Sequence, residues 1–164
     1  MTECLYCTPE WLEESAKLYR ATSRFQEALR KVSTKILYRI GAEPSWGIEQ
    51  SILFGAEVEK GELCELAFYS EEDAQATAEY ILAATPQQWK KLLRKESKFL
   101  TDFVLGKITL EHGSKVGILG LAPYAPSFID ALTQVELRFP DELTAQELED
   151  YRAYVGEFRA KLGV

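Results

Sequence analysis

Few residues of this chain are of a type that carries redox or metal chemistry. Among 164 residues there are three Cys and a single His. Cys4 and Cys7 form a C-x-x-C pair, a spacing found in redox motifs and in half of a zinc site. A redox pair normally follows a strand and opens a helix, whereas this pair precedes every predicted strand. We therefore interpret Cys4 and Cys7 as a frayed pair outside the core, with neither metal nor redox function and no disulfide framework.

Acid–base or nucleophilic catalysis would depend on His112, the only imidazole in the chain. His112 and Glu111 are neighbours in an alternating segment, so their side chains should point to opposite faces of a strand. The sequence has no G-x-S-x-G elbow, P-loop or dinucleotide fingerprint. We expect a protein that is not an enzyme and needs no cofactor. His112 is interpreted as a structural residue or as a polar contact for a ligand.

Composition restricts the partners and the location. The chain is 46% hydrophobic and 27% charged, as is usual for one globular domain of this length. Its net charge of -7 opposes binding to nucleic acid or to anionic surfaces. We find no stretch long enough to span a membrane and no secretory signal, which predicts a cytoplasmic protein. One Met and no Asn favour a thermophilic source.

One local basic cluster departs from the acidic average. We interpret it as a solvated helix face, and the alternative is a rim that meets an acidic head group or a membrane surface. The cluster consists of Lys90, Lys91, Arg94, Lys95 and Lys98.

The elements that must position any site are marked by local signals. Helix starts are predicted at the N-cap residues Thr8, Ser70, Thr85 and Thr144. The first helix is expected to carry one apolar face from Trp11 to Val32. Strands are predicted over residues 35–40, 48–58, 63–69 and 107–112, with a last alternating segment at 135–139 and a hairpin turn at 59–61. Residues 78–84 are compatible with either helix or strand.

Residues 116–128 form the most unusual segment, since they contain no charged side chain but two Gly and two Pro. This composition is unfavourable for a rigid helix. An irregular apolar wall is typical of the mouth of a ligand cavity. A buried helix in which Gly permits close packing is the alternative.

The last predicted helix opens with a capping box at Thr144–Glu147 and carries one apolar stripe. We expect this helix either to close a ligand cavity or to pair with its copy in a homodimer, because an exposed stripe of this size favours association. The stripe consists of Leu148, Tyr151, Val155, Phe158 and Leu162.

Several motifs together resemble the sterol carrier protein type 2 family. Residues 103–113 read FVLGKITLEHG, similar to the family pattern F-x-x-G-K-hydrophobic-x-hydrophobic-x-x-G. Tyr124-Ala-Pro stands where short prokaryotic members carry the same tripeptide. Residues 80–82 with Pro86 and Trp89 look like the fourth strand and the helix after it, and residues 8–12 look like the first helix. The resemblance covers about the first four-fifths of the chain.

The resemblance implies an α+β fold in which a five-stranded mixed sheet is covered by helices on one face. For residues 78–84, which are compatible with either helix or strand, the resemblance implies a strand. It also implies a single domain over residues 1–164, with a core at 8–135 and a C-terminal extension at 136–164. Two features depart from the family: the polar residues 49–51 at the start of the second predicted strand, and the additional last helix.

The resemblance also implies an apolar tunnel that binds fatty acids, fatty acyl-CoA, sterols or other lipids, with transient rather than stable membrane contact. A non-enzymatic interaction or regulatory module with a filled core, oligomerising through the last helix, is the alternative. An enzyme using His112 is the least favoured interpretation. The residues expected to contact the ligand are Phe68, Trp89, Leu93, Phe99, Leu100, Phe103, Val104, Leu119, Leu121, Tyr124, Phe128 and Leu132.

Overall fold

The computed structural model describes residues 1–164. Its strands are β1 (Glu3–Leu5), β2 (Ser33–Ile40), β3 (Ile52–Glu59), β4 (Glu62–Tyr69), β5 (Tyr80–Ala84), β6 (Thr109–His112) and β7 (Glu136–Arg138). Its helices are α1 (Pro9–Ala21), α2 (Ser23–Ala28), α3 (Glu71–Thr77), α4 (Pro86–Leu93), α5 (Phe99–Val104), α6 (Lys115–Leu121), α7 (Ala125–Leu132) and α8 (Ala145–Leu162). Short 3-10 turns occupy Pro44–Trp46, Ala122–Tyr124 and Pro140–Glu142. No helix is both long and apolar enough to cross a membrane.

Five strands form one mixed sheet, as predicted, and their order is β4-β3-β2-β5-β6. β2 and β5 are parallel, and the other neighbours are antiparallel. Because paired residues point to the same face, the register creates one apolar row across the sheet. The row consists of Phe68, Phe54, Tyr38, Leu82 and Leu110.

Most helices cover the face of the sheet that carries this row, and α3 covers part of the other. Behind α3 lies a separate small core in which Leu37, Leu53 and Ile81 pack against Ala74 and Ala78. The prediction of helices on one face therefore describes the main layer, with α3 as an addition.

The predicted helix starts are confirmed. The hydroxyl oxygens of Ser70, Thr85 and Thr144 accept hydrogen bonds from the backbone N–H groups three residues later at 3.1–3.2 Å, and Thr8 does the same for Trp11 at 3.4 Å. The Glu147 carboxylate completes the last capping box by accepting from the Thr144 N–H. These caps satisfy amides that the helix itself leaves unpaired.

The first predicted helix is divided in two. Thr22 has an extended backbone between α1 and α2, and its hydroxyl donates to the carbonyl oxygen of Leu18 at 2.7 Å. The prediction of one continuous apolar face is wrong for this reason. Trp11 belongs to the main core, whereas the residues near α2, including Phe25 and Leu29, form a separate cluster with Tyr19.

The second predicted strand begins later than expected, at Ile52 rather than residue 48. The preceding polar residues are bound by the last helix: the Arg159 guanidinium donates to the carbonyl oxygens of Gln50 and Ser51, both at 2.8 Å. The polar segment 49–51 is thus a docking segment for α8 and not a polar strand wall.

The interpretation of Cys4 and Cys7 as a frayed pair is wrong. Cys4 lies in β1, which forms a parallel two-stranded ladder with β7. Cys7 is only 2% exposed and belongs to the main core. The pairing partner of this segment is Glu136–Arg138, near the other end of the chain. No local sequence signal could therefore reveal it.

The stripe of α8 is buried by the rest of the same chain. Tyr151, Val155 and Phe158 are buried, and Leu162 at the helix end is exposed. The ring of Phe158 lies 5.2 Å from that of Phe68. This packing removes the reason for expecting the stripe to form a dimer.

Candidate functional site

An apolar cavity, here the main cavity, lies between the sheet and α4–α7. The region of this cavity that the centre of a water molecule can occupy has a volume of about 60 Å³. All 15 lining residues are apolar or aromatic: Tyr6, Ile36, Tyr38, Phe54, Leu82, Trp89, Leu92, Leu93, Phe99, Ile118, Leu121, Ala125, Phe128, Ile129 and Leu132.

The floor of the main cavity is the middle of the apolar row. The ring of Tyr38 lies 5.3 Å from that of Phe54 and meets the Trp89 indole edge-on at 5.6 Å. The Trp89 indole N–H donates to the Arg39 carbonyl oxygen at 2.9 Å. This bond fixes the indole against the sheet, so one wall of the cavity is rigid.

A buried carboxylate joins α4 to α5. Asp102 accepts hydrogen bonds from the Gln88 side-chain amide at 2.8 Å and from the Ser97 hydroxyl at 2.6 Å. Its backbone carbonyl also accepts from the N–H of Lys107. These bonds hold α5 so that Phe99 faces the cavity, and they satisfy the buried polar group.

The roof of the cavity is the irregular apolar segment predicted at residues 116–128. The structure divides it into α6, a 3-10 turn and α7. An added Cβ at Gly117 would lie 2.0 Å from the Tyr80 hydroxyl, so glycine allows α6 to approach β5. No residue of α7 is fully buried although several are large and apolar. Within the roof, α7 is therefore packed less tightly than Phe54 and Leu82 of the floor and is the part best able to move.

A second apolar cavity, here called the inner cavity, adjoins the first. Its volume by the same measure is about 30 Å³. Tyr38, Phe128 and Leu132 line both cavities and thus form the partition between them. Ser15 of α1 is the one lining residue of the inner cavity that is not hydrophobic.

Solved sterol carrier structures share this architecture. A conserved hypothetical protein of Thermus thermophilus, described as a candidate sterol carrier protein, has a TM-score of 0.67 at 17% identity over 80% of this chain and 90% of that one. A crystal structure of sterol carrier protein 2 has a TM-score of 0.64 at 16% identity, with coverages of 78% and 97%. The apo form of sterol carrier protein 2 from Yarrowia lipolytica has 0.55 at 10% identity, with coverages of 76% and 89%.

The fold is that of sterol carrier protein 2. No protein-family model and no curated protein matches the sequence, so the likeness resides in the three-dimensional arrangement. The predicted α+β sterol-carrier fold is confirmed, including the assignment of residues 80–84 as a strand.

Half of the residues predicted to contact a ligand line the main cavity of this sterol-carrier fold. They are Trp89, Leu93, Phe99, Leu121, Phe128 and Leu132. They come from α4, α5, α6 and α7, the segments on which the sequence argument concentrated.

The other six predicted residues lie elsewhere. Phe68 packs between Phe54 and Phe158, and Phe103 stacks on Phe99 at 5.7 Å. Tyr124 packs on the cluster around Tyr19. Leu100, Val104 and Leu119 are exposed, with Val104 at 73%. These last three line neither cavity: Leu100 and Val104 lie on the outer side of the short helix α5, whose inner side carries Phe99, and Leu119 is exposed on α6.

Sequence reasoning missed the residues contributed by the sheet and by the segment after β1. Ile36, Tyr38, Phe54 and Leu82 line the cavity from three strands, and Tyr6 joins them. The alternation of Ile36 and Tyr38 in β2 was the signal available. It identifies a shared face but not whether that face meets a cavity or a filled core.

Three of the five members of the basic cluster, on α4 and directly after it, pair with acidic groups of the same chain. Lys90 pairs with Asp141 at 3.0 Å and Arg94 with Glu142 at 2.9 Å, and Lys95 pairs with Asp130 of α7 at 2.7 Å. These ion pairs connect α4 and the residues directly after it to α7 and to the segment after β7. His112 is half-buried at the end of β6 and does not line either cavity.

The chemistry available in the two cavities is that of apolar contact and a few hydroxyl groups. Burial raises the pKa of the Tyr38 phenol well above its ordinary value, so this group stays protonated near neutral pH. The lining contains no carboxylate, imidazole or ammonium group. It is thus able to hold an apolar molecule but supplies no general base for acid–base chemistry near neutral pH.

Proposed function

We propose that the protein binds and carries an apolar ligand, such as a fatty acyl chain, a sterol or another lipid, and that it is not an enzyme. The observation that carries the proposal is the main cavity, whose 15 lining residues are all hydrophobic, at the centre of a sterol-carrier fold. Burial of methylene groups would supply the affinity, at roughly 0.8 kcal/mol each before entropy costs.

The ligand requires the roof to move. A volume of about 60 Å³ holds only a few water molecules at roughly 10–15 Å³ each by this measure. Displacement of the partition side chains Phe128 and Leu132 would join the main and inner cavities into one tunnel. Both residues belong to the loosely packed α7, which supports entry by a shift of this helix.

Two helices that contribute to the cavity lining, α5 and α6, also carry exposed apolar side chains, here called the apolar patch. These belong to Leu100, Val104, Leu105 directly after α5, Val116 and Leu119. Exposed Lys98, Lys107 and Lys115 lie in or next to these helices. Apolar side chains flanked by cations suit transient contact with an anionic lipid surface, and we propose that the ligand enters and leaves here.

Neither rival function has an observation in its favour. An oligomerising module with a filled core would need an exposed stripe on α8, but that stripe is largely buried within the chain. An enzyme would need a reactive group in the cavity, and His112 lies outside it. We also propose that residues 1–164 act as one domain, since the β1–β7 ladder ties the extension to the opening segment.

The proposal is tested by titrating delipidated protein with diphenylhexatriene, a fluorescent hydrocarbon that has no polar group. Saturable binding with an increase in melting temperature is expected. Ala125→Phe fills the main cavity and should abolish binding, whereas Ala153→Phe, on the exposed side of α8, should not. Absence of saturable binding to the folded wild-type protein, or equal binding by both variants, would contradict the proposal.

A further inference from the structure

Two hydroxyl groups inside the protein are left without a partner although their surroundings are apolar. The hydroxyls of Tyr6 and Ser15 are buried and make no hydrogen bond. Tyr38 contributes a further phenol to the lining of both cavities, and its side chain is only half-buried. A buried polar group without a partner is costly, so the hydroxyls of Tyr6 and Ser15 require an explanation.

All three residues line the cavities. Tyr6 contributes to the main cavity and Ser15 to the inner one, while Tyr38 stands at the partition and contributes to both. Ser15 is 1% exposed and is the only non-hydrophobic residue of the inner cavity. The nearby Tyr19 hydroxyl differs, because it donates to the Gly61 carbonyl oxygen at 2.5 Å. The unpartnered hydroxyls therefore mark particular positions along the tunnel.

The same lining offers nothing to neutralise an anion. No Lys, Arg or His side chain contributes to either cavity. A buried carboxylate without a cation is far more unfavourable than a buried hydroxyl or carbonyl group, which needs only one hydrogen bond. The interior thus discriminates between polar groups by charge.

We infer that the preferred ligand is a neutral lipid carrying a hydroxyl or carbonyl oxygen, such as a long-chain alcohol, ester or sterol. Its oxygen is held inside the tunnel by the hydroxyls of Ser15 and Tyr38. A free fatty acid binds more weakly because its carboxylate must stay at the mouth. This inference rests on the proposed function and specifies the class of ligand.

The test compares three competitors for displacement of diphenylhexatriene: 1-hexadecanol, palmitate and hexadecane. Wild-type protein should bind hexadecanol more tightly than either of the others. Ser15→Ala and Tyr38→Phe should each weaken hexadecanol binding by about 3- to 10-fold, the equivalent of one neutral hydrogen bond. Both variants should weaken the binding of hexadecanol relative to that of hexadecane and diphenylhexatriene, which carry no oxygen for these hydroxyls to hold. Tyr19→Phe is the matched control, because its hydroxyl already has a partner within the protein.

The outcomes separate the two claims. If diphenylhexatriene does not bind to folded wild-type protein, the lipid-carrier function itself fails. If it binds but palmitate competes better than hexadecanol, the preference for a neutral ligand is overturned. If Ser15→Ala and Tyr38→Phe both keep the wild-type preference, the Ser15 hydroxyl satisfies itself within α1 and the proposed anchor does not exist.

Discussion

The hydroxyl group of Tyr151 in α8 donates a 2.6 Å hydrogen bond to the backbone carbonyl oxygen of Tyr6, a residue that lines the main cavity. The last helix therefore does not enter the cavity. Our expectation that α8 closes the tunnel is corrected by this arrangement, since no residue of α8 lines either cavity. Its role is to support one wall from behind.

Tyr151→Phe should lower the free energy of unfolding by about 1–3 kcal/mol, because it leaves a buried carbonyl oxygen without a donor. Urea denaturation measures this loss. Tyr154→Phe is the matched control in the same helix, since the Tyr154 hydroxyl meets only the exposed Glu10 carboxylate.

The control keeps the contact of the Tyr154 ring with the Phe158 ring, whose centres lie 5.5 Å apart, and removes only the hydroxyl. It should change the free energy of unfolding by less than about 0.5 kcal/mol. If both substitutions lowered the free energy of unfolding equally, the hydrogen bond from Tyr151 to Tyr6 would have no specific stabilising role.

Replacement of Cys7 by Ser should destabilise the protein, which would not be so for a frayed pair outside the core. A hydroxyl placed in this apolar site would lack a partner and would cost about 1–3 kcal/mol. Burial also raises the pKa of the Cys7 thiol, so this group should be inert to thiol reagents in the folded state. Cys64 is exposed and should react first. Cys64→Ser is the control: it should remove the fast reaction and leave the melting temperature unchanged.

Stability should fall at alkaline pH. Burial raises the pKa values of the Tyr6 and Tyr151 phenols well above their usual range, which lies near 10. Above about pH 10 the unfolded chain loses these protons while the folded protein retains them, so the unfolded state is favoured by up to about 1.4 kcal/mol per pH unit for each phenol. Below about pH 9 these groups should have no effect. Urea titrations at several pH values, with phenolate absorbance, measure both quantities. A flat stability profile up to about pH 11 would contradict the burial of these phenols.

The exposed apolar patch on α5 and α6 should control exchange of ligand with membranes. Val104→Glu and Val116→Glu place charges among side chains that would otherwise meet lipid, and we expect transfer of diphenylhexatriene from anionic vesicles to slow at least about threefold. Equilibrium binding in solution should not change, because neither residue lines a cavity. Leu162→Glu, at an exposed apolar position on α8, is the control. Similar slowing by all three variants would show that the patch has no specific role.

The sequence predicted the features that depend on neighbours along the chain. The caps at Ser70, Thr85 and Thr144 are local hydrogen bonds between residues three apart, and all three are present. The break at Thr22 was missed, because an apolar repeat can continue through residues that no longer share one helix.

The site could be predicted only in part, for a physical reason. Trp89 and Phe128 were found because each lies in an amphipathic or unusual helical segment. Tyr38 was missed because its role depends on the partners it meets across the sheet, Phe54 and Leu82. Burial of Cys7 depends on a strand pairing between distant segments. Such long-range relationships leave no periodic signal in the sequence.

The parallel ladder between β1 and β7 has a consequence for the order of folding. Its strands are separated by about four-fifths of the chain, so the pairing must overcome a large loop-closure entropy and should form late. The hairpin of β3 and β4 needs only a short turn at Lys60 and Gly61 and can form early. During synthesis the sheet could thus assemble on the ribosome while Tyr6 is still unanchored. We expect the nascent chain to acquire a closed cavity only after residues 136–138 have emerged.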